Sequence, residues 1–90
     1  MRIEQENLTR LTARKIKKDV VKAIQQGDAV LDFSTVKIVD SSAVSVVLAW
    51  IRAAQSAMLE PRLIEAPAKL FDLAKLYGVL GLIQPFCRTK

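Results

Sequence analysis

The stretch Ala29-Val30-Leu31-Asp32-Phe33-Ser34-Thr35-Val36-Lys37-Ile38-Val39-Asp40-Ser41-Ser42-Ala43-Val44 decides the fold. Its first five residues form a short, mostly apolar, β-favouring run between turn signals, the pattern of a strand covered on both faces, and residues 36–39 add a short extension. After Asp40 the period changes. Val44, Val47, Leu48, Ile51, Ala54 and Met58 step by three and four, so they line one face of a long helix that runs to about Ala57. Asp40, Ser41 and Ser42 stand where that helix begins, and their side chains are of the kind that accept hydrogen bonds from the orphan N–H groups of a first turn.

Upstream, Ala13, Ile16, Val20, Ala23 and Ile24 follow helical spacing across residues 12–26, and Gly27 is a natural stop. Downstream, residues 62–66 read as a second compact strand. Pro67 then suits the first turn of a third helix with Leu70, Leu73, Ala74 and Tyr77 on its apolar side; Gly78 ends it, and Gly81 marks a last turn. The order helix, strand, helix, strand, helix makes neighbouring strands parallel, joined by crossover helices, because short hairpins cannot connect them. The sequence therefore predicts an α/β fold. Ninety residues build one core, so residues 1–90 form a single domain.

The composition, 51% hydrophobic and 26% charged, suits a packed core and excludes intrinsic disorder. No apolar run reaches the roughly 18 residues of a membrane span, and the polar start Met1-Arg2-Ile3-Glu4 is unlike a secretion signal, so a cytoplasmic location is expected. One cysteine, Cys87 in a C-terminal tail, and no histidine fit a reducing compartment and no metal or other cofactor. The net charge of +5 is concentrated in the first helix, at Arg10, Arg14, Lys15, Lys17, Lys18 and Lys22. No aromatic side chains interleave with these to stack on bases, so a solvated face is the preferred reading over a nucleic-acid surface, and an acidic partner or a nearby anionic membrane stays open.

The second helix has a second apolar stripe. Ala43, Val46, Ala49, Trp50, Ala53 and Ala57 lie opposite the Val44, Val47 and Ile51 face, with Ser45, Arg52 and Ser56 as a narrow polar strip. Either a neighbouring helix covers this stripe or it is an exposed patch for a partner. In the second case Ser42, Val46, Ala49 and Ala53 form a line of small residues that permits close approach, with Trp50 as an aromatic anchor. Capping needs only one of the side chains at the helix start. The N-terminal dipole and free N–H groups would also stabilise a phosphate on Ser41 or Ser42. Catalysis lacks support: neither serine has an evident base, and Gly27, Gly78 and Gly81 are not arranged as a phosphate loop.

Val30-Leu31-Asp32-Phe33-Ser34 through Ile38-Val39-Asp40-Ser41-Ser42-Ala43-Val44 resembles the strand, loop and helix signature of the STAS domain family, and the resemblance covers residues 8–86. Leu73-Ala74-Lys75-Leu76-Tyr77-Gly78-Val79 is similar to the segment that ends the third helix in the MlaB-like branch. The resemblance implies a STAS-like α/β fold, with a mixed sheet of mostly parallel strands and helices packed against it. It also implies a non-catalytic subunit that binds the cytoplasmic ATPase (MlaF-like) of a phospholipid-transporting ABC system maintaining outer-membrane lipid asymmetry, and so lies peripheral to the inner membrane.

By the same resemblance, Ser41 matches a hydroxyl at the ATPase contact. Ser42 matches the phosphorylated serine of anti-sigma factor antagonists, the alternative reading, whose partner is an anti-sigma factor kinase. Ala43 replaces the usual glycine. The contact expected from residues and resemblance together is Asp40, Ser41, Ser42, Val46, Ala49, Trp50 and Ala53. The family has one or two strands before the first helix, and residues 1–8 can supply one. If that strand is missing, the exposed sheet edge invites pairing with another chain, a homodimer included.

Overall fold

The computed structural model describes residues 1–88, and its elements follow the expected alternation. In order they are β1 (Asn7–Leu8), α1 (Ala13–Gln25), β2 (Val30–Asp32), β3 (Ile38–Val39), α2 (Ser41–Ser56), β4 (Arg62–Ile64), α3 (Ala68–Leu76), α4 (Leu80–Ile83), a 3₁₀ turn (Gln84–Phe86) and β5 (Cys87–Arg88). Every strand pair is parallel among the described residues: β1 with β3, β2 with β4, and β4 with β5. The expected α/β fold with mostly parallel strands is therefore found, with parallel pairing throughout the described residues, as crossover helices demand.

Residues 1–8 do supply a strand, in two short pieces. Arg2 bridges to Asp32 beside β2, with Ile3 N–H donating to the Asp32 carbonyl and Asp32 N–H to the Met1 carbonyl. Further along, Asn7 and Leu8 pair with Ile38 and Val39. The segment therefore lies between β2 and β3, so the edge beside β2 is occupied. Cys87, expected in a tail, instead begins β5 opposite Leu63, and its thiol donates to the Ile83 carbonyl at 3.6 Å. A two-residue strand after Pro85 has no periodicity to read; only its pairing with β4 defines it.

The expectation that β2 is covered on both faces is also corrected. Ala29, Leu31 and Phe33 are buried while Val30 and Asp32 are half-exposed, so one face of the sheet carries the core. Helix α2 is the hub of the helical side, touching α1, α3 and α4. Ile16, Val20 and Ile24 of α1 are buried at the expected helical spacing.

All three long helices end in the same way. After α1, Gly27 N–H donates to the Ile24 carbonyl and Asp28 N–H to that of Ala23; after α3, Gly78 N–H donates to Lys75 and Val79 N–H to Ala74. These are Schellman turns, whose first residue past the cap is left-handed. Gly27 (φ 88°) and Gly78 (φ 73°) adopt that conformation, and a Cβ at either would meet nothing within 4 Å, so the backbone alone demands glycine. At the end of α2 the same position is Met58 (φ 60°), which carries the strain of a side chain there. Met58 is thus outside the helix and 92% exposed, not a member of its buried face.

Candidate functional site

Asp40 fixes the start of α2. Its backbone is extended (φ −127°, ψ −168°), Oδ1 accepts from Ser42 N–H at 2.8 Å, and Oδ2 accepts from Arg10 N–H at 3.0 Å. One carboxylate therefore caps α2 and ties down the turn that leads into α1. Partial desolvation pushes the Asp40 pKa up, but the N–H groups of Arg10 and Ser42 and the Ser42 hydroxyl outweigh it, so the carboxyl is held below its ordinary range.

A carboxyl so depressed contributes stability that is present above its unfolded pKa of about 3.9 and is lost as pH falls through the lower folded value. Asp40→Ala is expected to cost about 1 kcal/mol in urea unfolding at neutral pH. The gap between variant and wild type should close in acid; a gap independent of pH would mean that the carboxylate is not the source.

Past the cap, the outward face of α2 forms one wall of an open groove. Ser41, Ser42, Val44, Ser45 and Leu48 face Tyr77 and Val79 across about 360 Å³. Leu48 also lines a second groove of about 410 Å³, where Ile51, Arg52 and Gln55 face Gly81, Leu82, Pro85 and Phe86. The α2 positions recur at three and four, so together they are one helix face about 20 Å long. The opposite wall depends on the turn at Gly78, which brings Val79 back beside α2. Tyr77 and Leu82, which line these grooves, are 56 and 60% exposed, and Leu76, next to Tyr77 at the end of α3, is 75% exposed. Large apolar side chains left in water beside a groove mark a binding surface.

Ser41 and Ser42 thus line the mouth of the groove and Asp40 precedes them as the cap, Ser41 exposed and the other two half-buried. Val46 and Trp50 do not belong to it. They are 2 and 1% exposed, which removes both from any surface of the isolated chain. The flank of α2 bearing Val44, Leu48 and Ile51 looks toward α3 and α4. Helix α1 makes the most extensive helix contact with α2 among the described residues, and at about 100° per residue the flank left for it is the opposite one, which carries Val46. Ala49 and Ala53 on that side are half-buried. The large members of the second stripe, Val46 and Trp50, are sealed within the chain while Ala57 is exposed, so the expected line through Val46 to a Trp50 anchor is corrected.

Sequence reasoning missed Ser45, Leu48, Tyr77, Val79 and Leu82 as groove residues. Leu48 reads as core by spacing, and Tyr77 as part of the apolar side of α3. The available signal was Leu76, a large apolar residue off the Leu70, Leu73 and Ala74 stripe. Among the described residues no group of three or more His, Cys, Asp or Glu could hold a metal, and no helix is long and apolar enough to cross a membrane.

A family profile described as "Mlab, STAS domain" matches residues 5–84. No curated protein matches the chain significantly. Among solved structures, the anti-sigma factor antagonist SpoIIAA in its unphosphorylated form aligns with a TM-score of 0.70 at 18% identity, over 99% of this chain and 76% of that chain. At that identity the likeness is one of fold.

Proposed function

The chain belongs to the MlaB-type STAS domain family, and on that footing we propose that it is a non-catalytic docking module whose partner seats in the groove along α2. The partner in this reading is the cytoplasmic ATPase of a phospholipid-transporting ABC system serving outer-membrane lipid asymmetry, which would hold the chain at the inner membrane. One observation carries the reading: hydroxyls at a fixed helix start open directly into a groove whose other lining residues are Val44, Leu48, Val79 and the exposed Tyr77. An apolar centre with a polar end is the usual anatomy of a specific protein contact. Of the residues expected at the contact, Asp40, Ser41 and Ser42 fit this surface directly. Ala49 and Ala53 lie on the α1 side and can serve only at its margin.

The test is capture of the purified ATPase. Ser45 is exposed and points into the groove, so Ser45→Arg fills it at little cost to the fold. Capture is expected to fall at least tenfold; capture equal to wild type would remove the groove from the interface. A second reading rests on Ser42, which lines the groove, so a phosphate there would occupy the partner's place and add charge. In that reading the chain is an anti-sigma factor antagonist that a kinase switches off. Incubation with the kinase followed by mass spectrometry separates the two, since only the antagonist acquires phosphate on Ser42.

A further inference from the structure

Residues 10–25 carry six basic side chains and one acidic, while the remainder of the chain has eight of each, so the whole net charge of +5 resides in α1 and the turn before it. The helix arranges that charge. Ile16, Val20 and Ile24 point into the core, and the outward arc at 100° per residue holds Arg14, Lys15, Lys17, Lys18 and Lys22, all exposed. The one acid, Asp19, is already bound to Lys15 at 3.0 Å, and it shares a surface hollow with Arg14, Lys17, Lys18 and Lys22, so four cations there meet a single carboxylate that another lysine neutralises. Arg10 and Leu11 lie in the turn that leads into the helix, Arg10 near the Asp40 carboxylate and Leu11 87% exposed.

We infer that this face of α1 seats on the anionic phospholipid surface of a bilayer, lying on it rather than inserting through it. Two observations favour lipid over nucleic acid. The face has no aromatic side chain on which a base could stack. It does present Leu11, which gains nothing from a phosphate backbone but has a place at the headgroup boundary, while the lysine stems reach past the apolar Val21 to place their ammonium groups among lipid phosphates. From Arg14 to Lys22 the row of cations spans roughly 12 Å of helix, short and straight enough for all of them to reach one flat surface together. The inference is independent of the docking reading, because α1 covers the flank of α2 away from the groove.

The experiment is sedimentation with vesicles of phosphatidylcholine alone and of phosphatidylcholine mixed equally with phosphatidylglycerol, at low and high salt, with duplex DNA and RNA as competing probes. Wild type should sediment with the anionic vesicles only and be released by salt. Each cation near such a surface contributes about fivefold to partitioning, so the triple variant Lys17→Gln, Lys18→Gln, Lys22→Gln should bind about a hundredfold more weakly. Circular dichroism checks that the variant is folded, and its capture of the ATPase should equal that of wild type. Absence from anionic vesicles, equal binding to neutral ones, a triple variant that binds like wild type, or preference for nucleic acid over anionic vesicles would each overturn the inference.

Discussion

Trp50→Ala is expected to cost about 3–5 kcal/mol, the range for deleting a large buried aromatic side chain. Trp50 is 1% exposed and is the largest fully buried side chain of the molecule, between α2 and the layer that α1 completes. Small domains hold only about 5–15 kcal/mol in total, and one of ninety residues sits low in that range, so the variant should retain little of its stability. The measurement is chemical unfolding followed by circular dichroism, because the substitution removes the single tryptophan and its fluorescence. Trp50→Phe fills more of the cavity and should cost clearly less. If alanine shifted the midpoint only slightly, Trp50 would not be the core residue described above, and an exposed anchor would return to consideration.

The opposite separation is expected at the groove. Replacing Leu76 and Tyr77 together by serine should leave the unfolding midpoint nearly unchanged, since both side chains are mostly in water already. Affinity for the ATPase should nevertheless fall by at least about thirtyfold, because aromatic and apolar side chains at the centre of an interface dominate its energy. Binding measured by biolayer interferometry, with unfolding run on the same samples, reads both quantities. A variant that binds like the parent would place the contact elsewhere. One that binds weakly only because it has lost its fold would show it in the second measurement.

These two substitutions show which parts of the molecule could be read from its residues. The helices were legible because their periodicity is local: Ile16, Val20 and Ile24 announce a buried stripe whatever lies opposite, and Asp40 announces a cap because the cap lies two residues away at Ser42. The hydroxyls at the groove mouth were legible for the same reason. Trp50 was ambiguous because α2 has apolar residues on two flanks, and only the docking of α1 decides which flank is sealed. The far wall of the groove was invisible, since Tyr77 and Val79 meet Ser41 and Leu48 only after the chain has passed through β4 and α3. The two-residue strands β1, β3 and β5 carry no alternation at all. Their existence is a property of the pairs Leu8 with Val39 and Leu63 with Cys87, not of either partner alone.

The parallel pairing also sets an order in time. Asn7 must find Ile38, Val30 must find Arg62, and Leu63 must find Cys87, so each rung joins residues more than twenty positions apart. Closing such loops costs chain entropy before any contact repays it, which slows folding relative to a helical bundle of equal size. On the ribosome the β2–β4 pair cannot form until Ile64 has emerged, and β5 joins only after Arg88. Until then, the apolar undersides of α1 and α2 are exposed, and the nascent chain is at its greatest risk of aggregation.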